Sequence, residues 1–135
     1  MTDYFFIEAH GPDESAVRNG FRWLIDVKTG EEAILAIPLL TNLQGVIENV
    51  LGRDNVKKLK KNKHIILNGT KINLSTIKSM TYTNSSIKIL AVYLRPKDLD
   101  AIESNYYNIS AILSIPWIEK DISEWKTTRR AVKYE

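Results

Sequence analysis

The chain of 135 residues has no cysteine, only two histidines, six glycines and four prolines. Each scarcity removes a class of chemistry. Without cysteine there is no disulfide, thiolate metal site or cysteine nucleophile. With only His10 and His64, far apart in sequence, a zinc site would need carboxylates in unusual number, so no metal is expected. The glycines form neither Gly-x-Gly-x-x-Gly nor Gly-x-x-x-x-Gly-Lys-Ser/Thr. Gly69-Thr70-Lys71 lacks the preceding glycine and the following helix of a phosphate loop, and no dinucleotide or other cofactor is expected. No Gly-x-Ser-x-Gly occurs either, so the nucleophile turn of the common α/β hydrolases is missing.

Apolar runs are short, none approaching the roughly 20 residues that cross a bilayer. The first residues, Met-Thr-Asp-Tyr-Phe-Phe-Ile-Glu, carry an acid and do not read as a signal peptide. A cytoplasmic protein is the expectation. Asn-x-Ser/Thr triplets at Asn68, Asn73, Asn84 and Asn108 then reflect composition rather than glycosylation.

What the chain does contain is the make-up of an ordinary globular domain, 44% hydrophobic and 26% charged. Its length predicts a single α/β domain over residues 1–135, with a core that needs no staples. Net charge is +3, a mild excess that fits nucleic-acid binding but also serves solubility.

The four prolines punctuate the chain. Pro12, Pro38, Pro96 and Pro116 stand at or just past the ends of the apolar runs Tyr4–Ala9, Ala33–Ile37, Ile87–Leu94 and Ile109–Ile115. Proline lacks a ladder N–H, so it ends a strand there. A helix-like segment follows each run. Asp13 is placed to cap a helix to about Lys28, with Val17, Phe21, Leu24 and Ile25 on one face. Asn19-Gly20 leaves open a turn into a strand over residues 21–27. Thr41 or Asn42 is expected to cap a helix ended by Gly52, and Asp54 a short one through Lys61. Later helices are expected over Lys97–Asn105 and Ile118–Arg130, and Ala131–Glu135 is expected to fray. Asn68-Gly69 between two β-rich runs predicts a type I′ hairpin over residues 64–75, on the sheet's edge. Residues Thr81–Ser86 read as a loop.

Alternating strands and helices predict a three-layer Rossmann-like, doubly wound fold. Its sheet is expected to be mostly parallel, of about five strands, and mixed because of the hairpin. The heptads Ala33-Ile-Leu-Ala-Ile-Pro-Leu39 and Ala111-Ile-Leu-Ser-Ile-Pro-Trp117 agree at five of seven positions, and convergence of two buried strands is preferred to duplication.

Open α/β sheets bind ligands beyond the carboxyl ends of their strands. The candidate ligand-binding residues are therefore His10, Thr41, Asn42, Arg95, Lys97 and Trp117, with His10 a weak catalytic candidate. Arg95 or Lys97 suits a phosphate or carboxylate and Trp117 a planar ring, although turn chemistry and packing explain the same residues. Lys57, Lys58, Lys60, Lys61 and Lys63 form the one dense charge feature. A solvated surface helix is the preferred reading, with nonspecific nucleic-acid binding third in rank.

Whether the chain is an enzyme stays open, leaning against. A non-catalytic binding or protein-interaction module ranks first, its partner another protein or a second copy in a homodimer. A domain or enzyme for a small anionic ligand ranks second.

Overall fold

The computed structural model describes residues 2–80 and 83–134. The described residues form one mixed sheet of seven strands and five α-helices. The strands are β1 (Asp3–Phe6), β2 (Glu31–Ile37), β3 (His64–Leu67), β4 (Thr70–Thr76), β5 (Ser86–Val92), β6 (Ile109–Ile115) and β7 (Val132–Lys133). The helices are α1 (Glu14–Leu24), α2 (Val46–Leu51), α3 (Arg53–Asn62), α4 (Pro96–Asn105) and α5 (Ser123–Arg129). Sheet order is β3-β4-β2-β5-β6-β1-β7. Only β3 against β4 is antiparallel.

The apolar run of β5 does occupy the centre, flanked by β2 and β6. Its alternate side chains face two separate cores. Leu90 and Val92 pack with residues of α1, α2 and α3 on one face. Ile89 and Ala91 pack with Leu99 and Ile102 of α4 and Trp125 of α5 on the other. Both faces are thus buried, which is why these strands read as continuous apolar runs.

Local signals set most of the boundaries. Asp13 accepts a hydrogen bond from Ala16 N at 3.0 Å and caps α1. Asn68 and Gly69 take φ of 49° and 81°, the positive pair that a type I′ turn demands, and the hairpin lies at one end of the sheet.

Several expectations need correction. The sheet has seven strands rather than about five. Asn19-Gly20 is not a turn, because both residues lie inside α1. Gly20 is there for contact: a Cβ would sit 2.8 Å from Leu90 Cδ1 and from Ile115 Cδ1, so its bare backbone lets α1 press onto the sheet. The helix ends at Leu24 rather than near Lys28. Neither Thr41 nor Asn42 caps α2. They lie in a 3-10 turn over Leu40–Leu43, where Asn42 Oδ1 accepts from Leu39 N at 3.0 Å, and α2 begins after Gly45. Gly52 both ends α2 and precedes α3, leaving Asp54 in the first turn instead of at the cap. The last helix is split, a 3-10 turn over Glu119–Ile122 leading into α5. Residues 132 and 133 pair with Phe5 and Phe6 rather than fraying, while Glu135 lies outside the described residues. Of the expected loop, Thr81 and Tyr82 also lie outside them, and Ser86 already belongs to β5.

Candidate functional site at the carboxyl ends of the strands

The connections place the anticipated residues along one edge of the sheet. Thr41 and Asn42 follow β2, Arg95 and Lys97 follow β5, Trp117 follows β6 and His10 follows β1. These four strands are neighbours in the order β2-β5-β6-β1. At roughly 4.8 Å per strand, the ends of β2 and β6 lie about 10 Å apart.

At this edge the side chains are arranged for exposure more than for enclosure. His10, Thr41, Arg95 and Lys97 are exposed. Asn42 is committed to its own turn through Leu39 N. Arg95 is the N-terminal cap residue of α4, its backbone N–H donating to Asp98 Oδ2 at 3.4 Å. Trp117, 46% exposed, stands edge-on to Tyr93 with ring centroids 5.0 Å apart. Its carbonyl accepts from Gly11 N at 2.5 Å, tying the loop after β6 to the loop after β1.

Tyr93 is the strained residue of this edge. It takes φ of 64°, a conformation unfavourable for a bulky side chain. Its N–H donates to Ile115 O at 2.8 Å, which holds the turn between β5 and α4. The ring is buried, and burial raises the pKa of its phenol, opposed by the Asp13 backbone, which faces the hydroxyl without forming a well-directed hydrogen bond.

Leu39, Leu40, Trp117 and Ile118 are all large apolar residues with 37–50% of their surface exposed. All four lie on this edge, directly after β2 and β6. Neither of the two larger cavities takes in any of these four, though one starts at this edge, at Pro96. One of about 250 Å³ sits between α4 and α5, lined by Asp100, Trp125 and Arg129. Another of about 520 Å³ opens at the opposite edge beside Thr2, Tyr107 and Ser110. Neither includes any of the six anticipated ligand residues. On the carboxyl edge itself, Leu40, Lys63 and Thr76 line a dimple of about 40 Å³.

Sequence reasoning passed over a polar cluster at the amino ends of the strands. Lys88 is 8% exposed, in the middle of the central apolar run. Its Nζ donates to Trp23 O at 2.5 Å and Asp26 O at 2.8 Å, and lies 4.4 Å from the centroid of the Trp23 ring. Burial lowers the lysine's pKa, and the nearby charges of Glu31 and Asp26 work against that fall. Ser110 donates to Glu31 Oε2 at 2.5 Å, and a partly open cavity of about 200 Å³ adjoins the cluster. The ammonium closes the carboxyl end of α1, where helix carbonyls lack partners and the dipole favours a cation. A lone charge within an apolar strand was the available signal.

Arg129 and Trp125 both reach Glu103 from α5. Arg129 Nε donates to its two oxygens at 3.0 and 3.1 Å, and Trp125 Nε1 donates at 3.1 Å. The pKa of the guanidinium is raised chiefly by its hydrogen bond to Glu103. Tyr4 beside it has its phenol raised, first by burial and then by Glu103. This cluster fastens α4 to α5.

Among the described residues no group of three or more His, Asp or Glu side chains is placed to hold a metal ion, and no helix is long and apolar enough to cross a membrane. No protein-family model matches the chain, and no curated protein matches its sequence.

Proposed function

We propose that this is a non-catalytic binding module of the cytoplasm, built on a Rossmann-like, doubly wound core, that docks another protein through the carboxyl edge of its sheet. The core reading draws support from α1–α3 packing on one face and α4–α5 on the other. One observation carries the functional reading: Leu39, Leu40, Trp117 and Ile118 are exposed on one edge, where Leu40 lines a dimple of only about 40 Å³. Small ligands favour deep pockets, whereas a shallow apolar patch with a cationic rim suits a protein surface. Arg95, Lys97 and His10 supply that rim. The four side chains offer on the order of 300 Å² of apolar area, in the range of functional patches on monomers. A weak, transient association is expected of a patch of this size.

The first partner to test is a second copy of the chain. Sedimentation equilibrium should reveal a reversible dimer, and the double substitution Leu39→Ser with Trp117→Ala should weaken it at least tenfold without loss of the folded circular dichroism spectrum. A monomer at every concentration, or a dimer indifferent to both substitutions, would refute the homodimer.

A second reading has its own supporting observation. The chain leaves β2 for α2 on one face and leaves β5, its neighbour, for α4 on the other. A reversal of this kind opens a crevice at the strand ends, here flanked by Thr41 and Arg95. Binding of inorganic phosphate that is lost in Arg95→Ala, measured by calorimetry, would favour this reading over the first.

A further inference from the structure

The positive charge of this protein is concentrated in one element. Residues 53–63 contain Arg53, Lys57, Lys58, Lys60, Lys61 and Lys63 against the single carboxylate of Asp54, a net of +5. Since the whole chain carries +3, the remainder is net −2. The structure shows that these cations are not neutralised locally. None of the six forms an ion pair with a described residue, whereas Arg18, Lys126, Arg129 and Lys133 all do.

Nor is the helix loosely held. Val56 and Leu59 of α3 are buried at 2% and 0% exposure in the main core, so the backbone is clamped to the hairpin side of the sheet. Lys57, Lys58, Lys61 and Lys63 remain exposed and Lys60 half-buried. Lys63 ends the helix in a left-handed conformation, φ 65°.

We propose that this face of α3 is a docking surface for the phosphate backbone of nucleic acid, bound without regard to sequence. Charge spacing favours this partner. On the side away from Val56 and Leu59, the exposed Arg53, Lys57, Lys58 and Lys61 span eight steps of 1.5 Å, about 12 Å, or one cation per roughly 4 Å, close to the spacing of about 3.4 Å between charges along one DNA strand. A membrane surface fits less well. An interfacial helix needs an apolar face free to enter the lipid, and the apolar residues of α3 are already consumed by the core. Sequence readout is not expected, because five of the six cations are lysines, without the fork that reads base edges, and α3 has no aromatic residue on which a base would stack.

Fluorescence anisotropy on the full chain tests this, using short labelled DNA duplexes of unrelated sequence. Four to five phosphate contacts predict a slope of about −4 for log K against log salt, which is a loss of affinity of order 10²-fold between about 50 and 200 mM. Replacing Lys57, Lys58 and Lys61 together by alanine should make the slope shallower by about 2.7. Alanine at exposed helical sites preserves the fold, which circular dichroism verifies. The control Lys120→Ala, on the far side of the sheet, should leave binding unchanged. The proposal is overturned by absence of binding at about 50 mM salt, by binding that survives the triple substitution, or by phosphatidylserine vesicles or polyglutamate binding as tightly as the duplex.

Discussion

Removing the buried ammonium, by Lys88→Met, is the sharpest test of the packing described here. The substitution keeps side-chain length and apolar volume but takes away two charge-assisted hydrogen bonds, to Trp23 O and Asp26 O. Bonds of this kind contribute about 1.5–3 kcal/mol each. Two effects reduce the loss: the buried charge no longer has to be desolvated, and the adjoining cavity of about 200 Å³ lets water reach at least one of the freed carbonyls. A net cost of about 2–3 kcal/mol follows. For a chain of this length each kcal/mol corresponds to roughly 3.5 °C in Tm, so the variant should melt about 7–10 °C lower.

Proton linkage supplies an independent check. Because burial lowers the Lys88 pKa in the fold below its ordinary 10.5, the unfolded chain holds the proton more tightly in the window between the two values. There the unfolded state binds more protons, so the contribution of Lys88 to stability rises with pH. The gap between parent and variant should therefore widen as pH climbs toward 10. Tyr4 and Tyr93, with raised pKa values, act oppositely near and above pH 10, but both proteins share them and the difference cancels their effect. Urea unfolding of the two proteins between about pH 7 and 10 measures the quantity. A variant as stable as its parent would show that the two bonds only offset the cost of burying the ammonium, and a gap that narrows with pH would show that the fold holds this proton more tightly than the unfolded chain, against the direction burial sets.

Two further outcomes can be measured by the same urea unfolding. Gly20→Val should cost about 3 kcal/mol, because even a Cβ lies 2.8 Å from the Leu90 and Ile115 side-chain tips in a packed core; a cost under about 1 kcal/mol would mean that those tips can swing aside. A double-mutant cycle of Glu103→Gln and Arg129→Met should give a coupling of about 1 kcal/mol or more, given bidentate geometry with 16% and 28% of the two side chains exposed. A coupling near zero would show that the Glu103–Arg129 pair does not fasten α4 to α5.

Much of the secondary structure was legible because its causes are local. Pro38 and Pro116 end β2 and β6 by what they lack within one residue, whereas β1 stops at Phe6 and β5 at Val92, well before Pro12 and Pro96. Asp13 caps a helix by reaching three residues ahead, and Asn68-Gly69 turns because both tolerate positive φ. Where such reasoning failed, a distant contact had replaced the local preference. Gly20 resembled a turn residue, yet its role depends on Leu90 and Ile115, some 70 and 95 positions away. Val132 and Lys133 lack any strand pattern of their own and gain one from the open edge of β1. At the anticipated site, proline spacing located the edge and Trp117 on it, while the exposure of Leu39, Leu40 and Ile118 was invisible because an apolar residue at a strand end reads as core.

The two similar heptads show where the boundary lies. Their composition alone determined that each would be a buried strand stopped by proline. That they flank the same strand was decided by tertiary structure: Ala33 and Ala111 both pair with Lys88, Leu35 and Leu113 with Leu90. An alanine on each side leaves room for one long side chain to run up to the end of α1. The order of strands follows from which faces and volumes fit across the whole domain. Such fits are made between residues far apart in the chain, and no short stretch of sequence contains them.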